Sequence, residues 1–86
     1  MGERTLQILR TIEGLARRAG YPPTVREVGR AIGLSSSSTP KRHIERLRAA
    51  GLVLYEPRMP RTLRLTDAGR RALVGELAAE VEQQIG

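Results

Sequence analysis

The apolar positions of the first twenty residues recur with a helical period. In "RTLQILRTIEGLARRAG", Leu6, Leu9, Ile12, Leu15, Ala16 and Ala19 fall on one stripe, which predicts an amphipathic helix with a single buried face. Gly20 ends it, and Tyr21-Pro22-Pro23 forbids continuation, because a proline drives the residue before it out of helical geometry. A second, short helix is predicted over "TVREVGRAIG". Thr24 and Glu27 stand three apart, the spacing of a capping box, in which each side chain satisfies the other's free backbone N–H. Val28, Ala31 and Ile32 form its inner face, and Gly33 closes it. "GLSSS" is a tight connection. A third helical pattern follows, with Ile44, Leu47 and Ala50 inward, Lys41, Arg42, Glu45, Arg46 and Arg48 outward, and Gly51 at its end. Two short helices joined this way predict a helix-turn-helix.

Beyond Gly51 the period changes. In "LVLYEPRMPRTLRLT", Val53 and Tyr55 alternate with Leu52 and Leu54. After a proline-containing loop, Leu63 and Leu65 alternate with Thr62, Arg64 and Thr66. Two short strands around such a loop predict a β-hairpin. "TDAGRRALVGELAAEVEQQIG" returns to a helical pattern. Thr66 or Asp67 is placed to cap it, and Leu73, Leu77, Val81 and Ile85 recur every fourth position, flanked by Val74 and Ala78. The expected fold is mainly α with a small β-hairpin: a winged helix-turn-helix over residues 1–66, then a C-terminal amphipathic helix over 67–86. That last stripe exceeds what a small three-helix core needs. Leu73, Leu77, Val81 and Ile85 are therefore the candidate dimerisation residues, with packing back on helix 1 as the alternative.

Composition narrows the chemistry. At 86 residues the chain is one small domain, and with 2% aromatic residues its core is aliphatic. The absence of cysteine excludes disulfides, thiolate metal sites and cysteine nucleophiles, and a single histidine gives no histidine cluster. No Walker loop, catalytic triad or metal-ligand pattern is present, so neither an enzyme nor a cofactor is expected. No apolar run reaches the roughly 20 residues of a membrane helix. The first residues do not resemble a signal peptide, and Leu6 stands where a myristoylation signal has Ser or Thr. A cytoplasmic protein without a membrane partner is expected. Charge is more informative than its net of +6: residues 1–71 carry all 15 lysines and arginines with six acids, and the last 15 residues carry three glutamates and no base. A basic body with an acidic amphipathic tail predicts one surface for a polyanion and one for protein.

"YPPTVREVGRAIGLSSSSTPKRHIERLRAAGLV" resembles the DNA-binding domain of the LexA repressor family. The resemblance is carried by Tyr21-Pro22-Pro23-Thr24, Arg26-Glu27, Gly33-Leu34, Ser36-Ser37-Ser38-Thr39, His43 and the Leu47 to Leu52 segment, and "EPRMPRTLRL" continues it through the wing. It covers roughly residues 5–65. It implies a winged helix whose third helix enters the major groove, with the base-reading side chains at that helix's start: Ser36, Ser38, Thr39, Lys41 and Arg42. Short hydroxyl side chains allow close approach to base edges, and a long helix's free N–H groups favour phosphate. The alternative for the serines is plain helix capping. Thr24, Arg26, Arg46, Arg58 and Arg61 are the candidate backbone and wing contacts, with solvated loop arginines as the alternative for Arg58 and Arg61. His43 is expected to pack between helices or support the wing, and Tyr21 to pack on the core. Pro40 departs from the family pattern, so either the helix begins near Thr39 or its first turn is distorted.

"LRLTDAGRRALVGEL" is weakly similar to MarR- and PadR-type winged helix regulators, in which the helix after the wing often builds the dimer interface. Full-length LexA repressors carry a self-cleaving peptidase domain with a Ser/Lys pair. Here Ser35 to Ser38 and Lys41 fall in the DNA-reading segment, so a stand-alone regulator without that activity is expected. The leading expectation is a homodimeric, sequence-specific regulator of double-stranded DNA, a repressor by resemblance, with no small-molecule ligand evident. The alternatives are a winged helix protein-interaction module and a non-specific architectural DNA binder.

Overall fold

A computed structural model describes residues 2–34 and 38–75, with the backbone but not the side chain of Ser38. Helix α1 runs over Glu3–Ala19, α2 over Val25–Ala31 and α3 over Ser38–Ala49. Strands β1 (Val53–Leu54) and β2 (Arg64–Leu65) pair antiparallel, Val53 opposite Leu65 and Leu54 opposite Arg64. A fourth helix, α4, occupies 67–75 of the described residues. The architecture is a winged helix: three helices, a two-stranded wing and a helix after it.

Each helix boundary has a local cause. Glu3 lies in the first turn of α1 and Arg17 and Arg18 in its last, each opposing the helix dipole at its end. Gly20 then adopts φ 81° and donates its N–H to the Ala16 carbonyl, 2.8 Å away. This left-handed cap is one that glycine alone adopts without steric cost. Helix α2 opens with the capping box: the Glu27 N–H donates to Thr24 Oγ1 (3.1 Å) and the Thr24 N–H donates to Glu27 Oε1 (2.8 Å). Thr66, not Asp67, caps α4. Its hydroxyl accepts from the Gly69 N–H at 3.0 Å and donates to the Gly51 carbonyl at 2.6 Å, so it also ties α4 to the end of α3.

All six elements feed one aliphatic core. Ile8, Leu9 and Ile12 of α1 meet Val28 of α2, Ile44 and Leu47 of α3, Val53 and Leu65 of the wing strands, Leu63 before β2, and Leu73 of α4. Ile8 was not expected on the buried stripe but is 1% exposed. Helix α1 packs against both α2 and β2, so it buries an arc wider than one stripe. Ala19, Ala31 and Ala50, expected inward, are exposed at the ends of their helices. Gly29 is the buried residue of α2 beside Val28. Tyr21 also departs from expectation: it is 50% exposed rather than packed in the core.

The end of the domain is corrected as well. Leu73, expected on a dimerisation stripe, is 8% exposed inside its own domain's core and is not available to a second chain. Gly69 presses against the Leu52 carbonyl so closely that a Cβ there would overlap it. The winged helix unit therefore continues past residue 66. Leu77, Val81 and Ile85 lie outside the described residues.

Candidate nucleic-acid interface

The α2–α3 corner is built on a missing side chain. A Cβ on Gly29 would lie 2.7 Å from Cγ and 3.3 Å from Cβ of Pro40, well inside ordinary carbon–carbon contact, so the buried Pro40 ring fills the space that glycine leaves. Leu34 then donates its N–H to the Gly29 carbonyl at 2.9 Å, and Gly33, at φ 80°, makes the reversal between the helices. Pro40 is the third residue of α3 as described. First-turn N–H groups have no partner inside a helix, so its missing donor costs nothing. Pro40 is thus a packing residue of the helix-turn-helix, and α3 is already helical at Ser38, before Thr39.

With Pro40, Ile44 and Leu47 inward, α3 turns Thr39, Lys41, Arg42, Arg46 and Arg48 to solvent. Arg48 donates to Glu45 Oε2 at 3.4 Å. Among the described residues no acid lies within ion-pair distance of Lys41, Arg42 or Arg46. Arg26 is exposed in the first turn of α2. His43 is half-buried and lines a cleft with Arg4, Thr5 and Ile8 of α1 and Arg46 and Leu47 of α3.

The wing loop is closed by Thr62. Its hydroxyl accepts from the Glu56 N–H (2.9 Å) and lies 3.1 Å from the carbonyls of both Glu56 and Met59. Arg58 sits exposed on this loop, its backbone N–H directed at Glu56 Oε1, 3.4 Å away. Arg61 behaves differently. It holds φ 58°, the left-handed region that non-glycine residues rarely occupy. Its guanidinium turns back across the domain, donating to the Pro22 carbonyl (3.1 Å) and to Glu27 Oε1 (3.0 Å), and it lies 4.5 Å from the centre of the Tyr21 ring. The Thr24 backbone N–H first, then the Thr24 hydroxyl and the Arg61 guanidinium, hold the Glu27 carboxyl below the usual glutamate range. Glu27 is therefore the shared acceptor between the start of α2 and the wing.

The sequence profile of the LexA DNA-binding domain matches residues 1–62. The chain belongs to that family. It is 53% identical over 68 residues to the LexA repressor of Lacticaseibacillus casei (strain BL23), covering 79% of this chain and 33% of the relative. The LexA repressor of Oenococcus oeni is 50% identical over 70 residues (81% and 33%), and that of Bacillus subtilis 45% over 67 residues (78% and 33%). The chain spans about a third of the length of these curated relatives. Among the described residues no helix is long and apolar enough to cross a membrane.

On this LexA-type domain the expected base-reading residues fall unevenly. Thr39, Lys41 and Arg42 come together, exposed, in the first turns of α3. Ser38 belongs to the same turn, while its side chain, like Ser36 as a whole, lies outside the described residues. Of the expected backbone contacts, Arg26, Arg46 and Arg58 are exposed. The other two also hold the domain together: the Thr24 hydroxyl accepts from the Glu27 N–H in the α2 cap, and the Arg61 guanidinium donates to the Pro22 carbonyl and Glu27 and lies over the Tyr21 ring. Sequence reasoning missed this cluster because its partners stand 34 and 39 residues apart, and no periodicity links a loop arginine to a helix cap.

Proposed function

We propose that the chain is the DNA-reading unit of a cytoplasmic transcriptional repressor, using α3 in the major groove and the wing on the adjacent backbone or minor groove. The observation that supports this reading most is the surface of α3. Its first two turns present Thr39 with Lys41 and Arg42, no acid among the described residues lies within ion-pair distance of those two cations, and the Pro40–Gly29 contact sets the angle at which they project. Hydroxyl and basic side chains at the start of a helix suit base edges, with a bidentate arginine–guanine pair discriminating by about 1–3 kcal/mol. Arg26, Arg46 and Arg58 supply phosphate contacts, which position the helix without reading sequence. An interaction module would instead present an apolar face there.

We further propose that the regulator works as a homodimer. The support is the apolar recurrence at Leu77, Val81 and Ile85 and the exposed Val74, 64% accessible at the end of the described helix. Two copies would read a palindrome with half-sites spaced by whole helical turns. Selection from a random duplex library, with the intact chain and with the triple variant S38A/K41A/R42A, tests both parts. Enrichment of a palindrome that the variant loses is expected. Binding without an enriched motif would make the domain an architectural binder, and no binding at all would remove the DNA reading. Sedimentation as a monomer at micromolar concentration would remove the dimer.

A further inference from the structure

Arg61 stands in the wing, carries a positive charge and is half-exposed, which are the attributes of a DNA-contacting residue. Its geometry assigns it elsewhere. Three separate interactions engage one guanidinium: the Pro22 carbonyl, the Glu27 carboxylate and the face of Tyr21. All three partners belong to the α1–α2 corner, and the backbone of Arg61 adopts a left-handed conformation at the point from which the side chain reaches them. Only two residue pairs bond β1 to β2, so the strands alone leave the loop between them free to swing. Arg61 closes the other side of that loop. Three residues before it, Arg58 projects with no acid within ion-pair distance among the described residues.

We infer that Arg61 is a positioning residue for DNA binding: it straps the wing to the start of α2 and so fixes where Arg58 meets the duplex relative to α3, without itself touching DNA. The inference rests on the reading of the wing as a DNA contact. Lysine is not equivalent to arginine here. It keeps the charge, but its compact tetrahedral ammonium has no planar face to lay over the Tyr21 ring while its nitrogen donates to the Pro22 carbonyl and Glu27, as arginine does through Nη1. If Arg61 touched a phosphate, R61K would retain most of the affinity. As a strap, R61K loses the Arg58 contact although the net charge is unchanged.

The test measures affinity of the full chain, against salt, for the duplex most enriched from the random library. The variants are R58A, R61K, Y21L and R58A/R61K, all studied at a temperature where circular dichroism shows each one folded. Each phosphate contact adds about 0.9 to the slope of log K on log salt, so one lost contact weakens binding by up to about eightfold at ~0.1 M salt. R58A, R61K and Y21L are each expected to show that loss and the same reduced slope, and R58A/R61K no more than R58A alone. A purely structural role would lower the melting temperature and leave affinity and slope of the folded variants unchanged, overturning the inference. So would an R61K affinity equal to wild type, or losses that add in the double variant. If R58A itself binds as wild type, it is the wing contact that fails, a result distinct from R61K failing to follow R58A.

Discussion

Substituting Gly29 by alanine puts the helix-turn-helix corner to a quantitative test. Alanine is the better helix former, and in the interior of α2 it would gain about 0.5–1 kcal/mol if space allowed. Space does not allow it. The added methyl would lie 2.7 Å from Pro40 Cγ, against an ordinary contact of about 3.5–4.0 Å, an overlap of roughly 1 Å. Pro40 cannot rotate away, since its ring is closed on its own backbone within α3. The two helices must therefore separate, and overpacking of this kind costs about 1–3 kcal/mol. With the upper half of that range set against the propensity gain, G29A should be less stable by about 1–2 kcal/mol. For a domain of this size that is a drop of roughly 4–15 °C in melting temperature. P40A removes the ring atom in the closest contact. In the P40A background G29A should be neutral or stabilising, so a double-mutant cycle by urea denaturation should give a coupling energy above about 1 kcal/mol. Additivity within about 0.5 kcal/mol, the behaviour of independent sites, would refute the argument, as would a G29A protein more stable than wild type.

Three further outcomes follow from other contacts. G69A should be more damaging than G29A, because the added methyl would meet the rigid Leu52 backbone carbonyl rather than a side chain, and loss of the cooperative thermal transition at room temperature is the expected result. T66A should cost on the order of 1 kcal/mol for the lost α4 cap, together with the bond to the Gly51 carbonyl, and T66S should restore both in a denaturation series. Glu27 titrates below its unfolded value, so its stabilisation is present above the unfolded pKa and is lost as pH falls through the folded one. E27Q keeps the capping-box geometry without the charge. Its melting temperature should lie below wild type at neutral pH and converge with it in acid, and a gap unchanged by pH would sink this account.

The elements of this protein were legible in one dimension because each is governed by local physics. The apolar stripe of α1, the Thr24/Glu27 box, the terminal glycines and the switch to period-two alternation at Leu52 all act within a few residues, and all appear in the fold. The basic outer face of α3 was legible for the same reason: once Ile44 and Leu47 point inward, the helical period sends Lys41 and Arg42 out. Tertiary structure alone decided three things. It spent Leu73 on the domain's own core, because a helix held by Thr66 and by the Gly69–Leu52 approach has no other direction in which to place it. It made Pro40 a packing partner for Gly29, a relation between two helices that neither helix encodes alone. It also turned Arg61 inward from the wing onto Pro22, Glu27 and Tyr21, since the position of a loop side chain depends on which distant surface the chain has folded beside it.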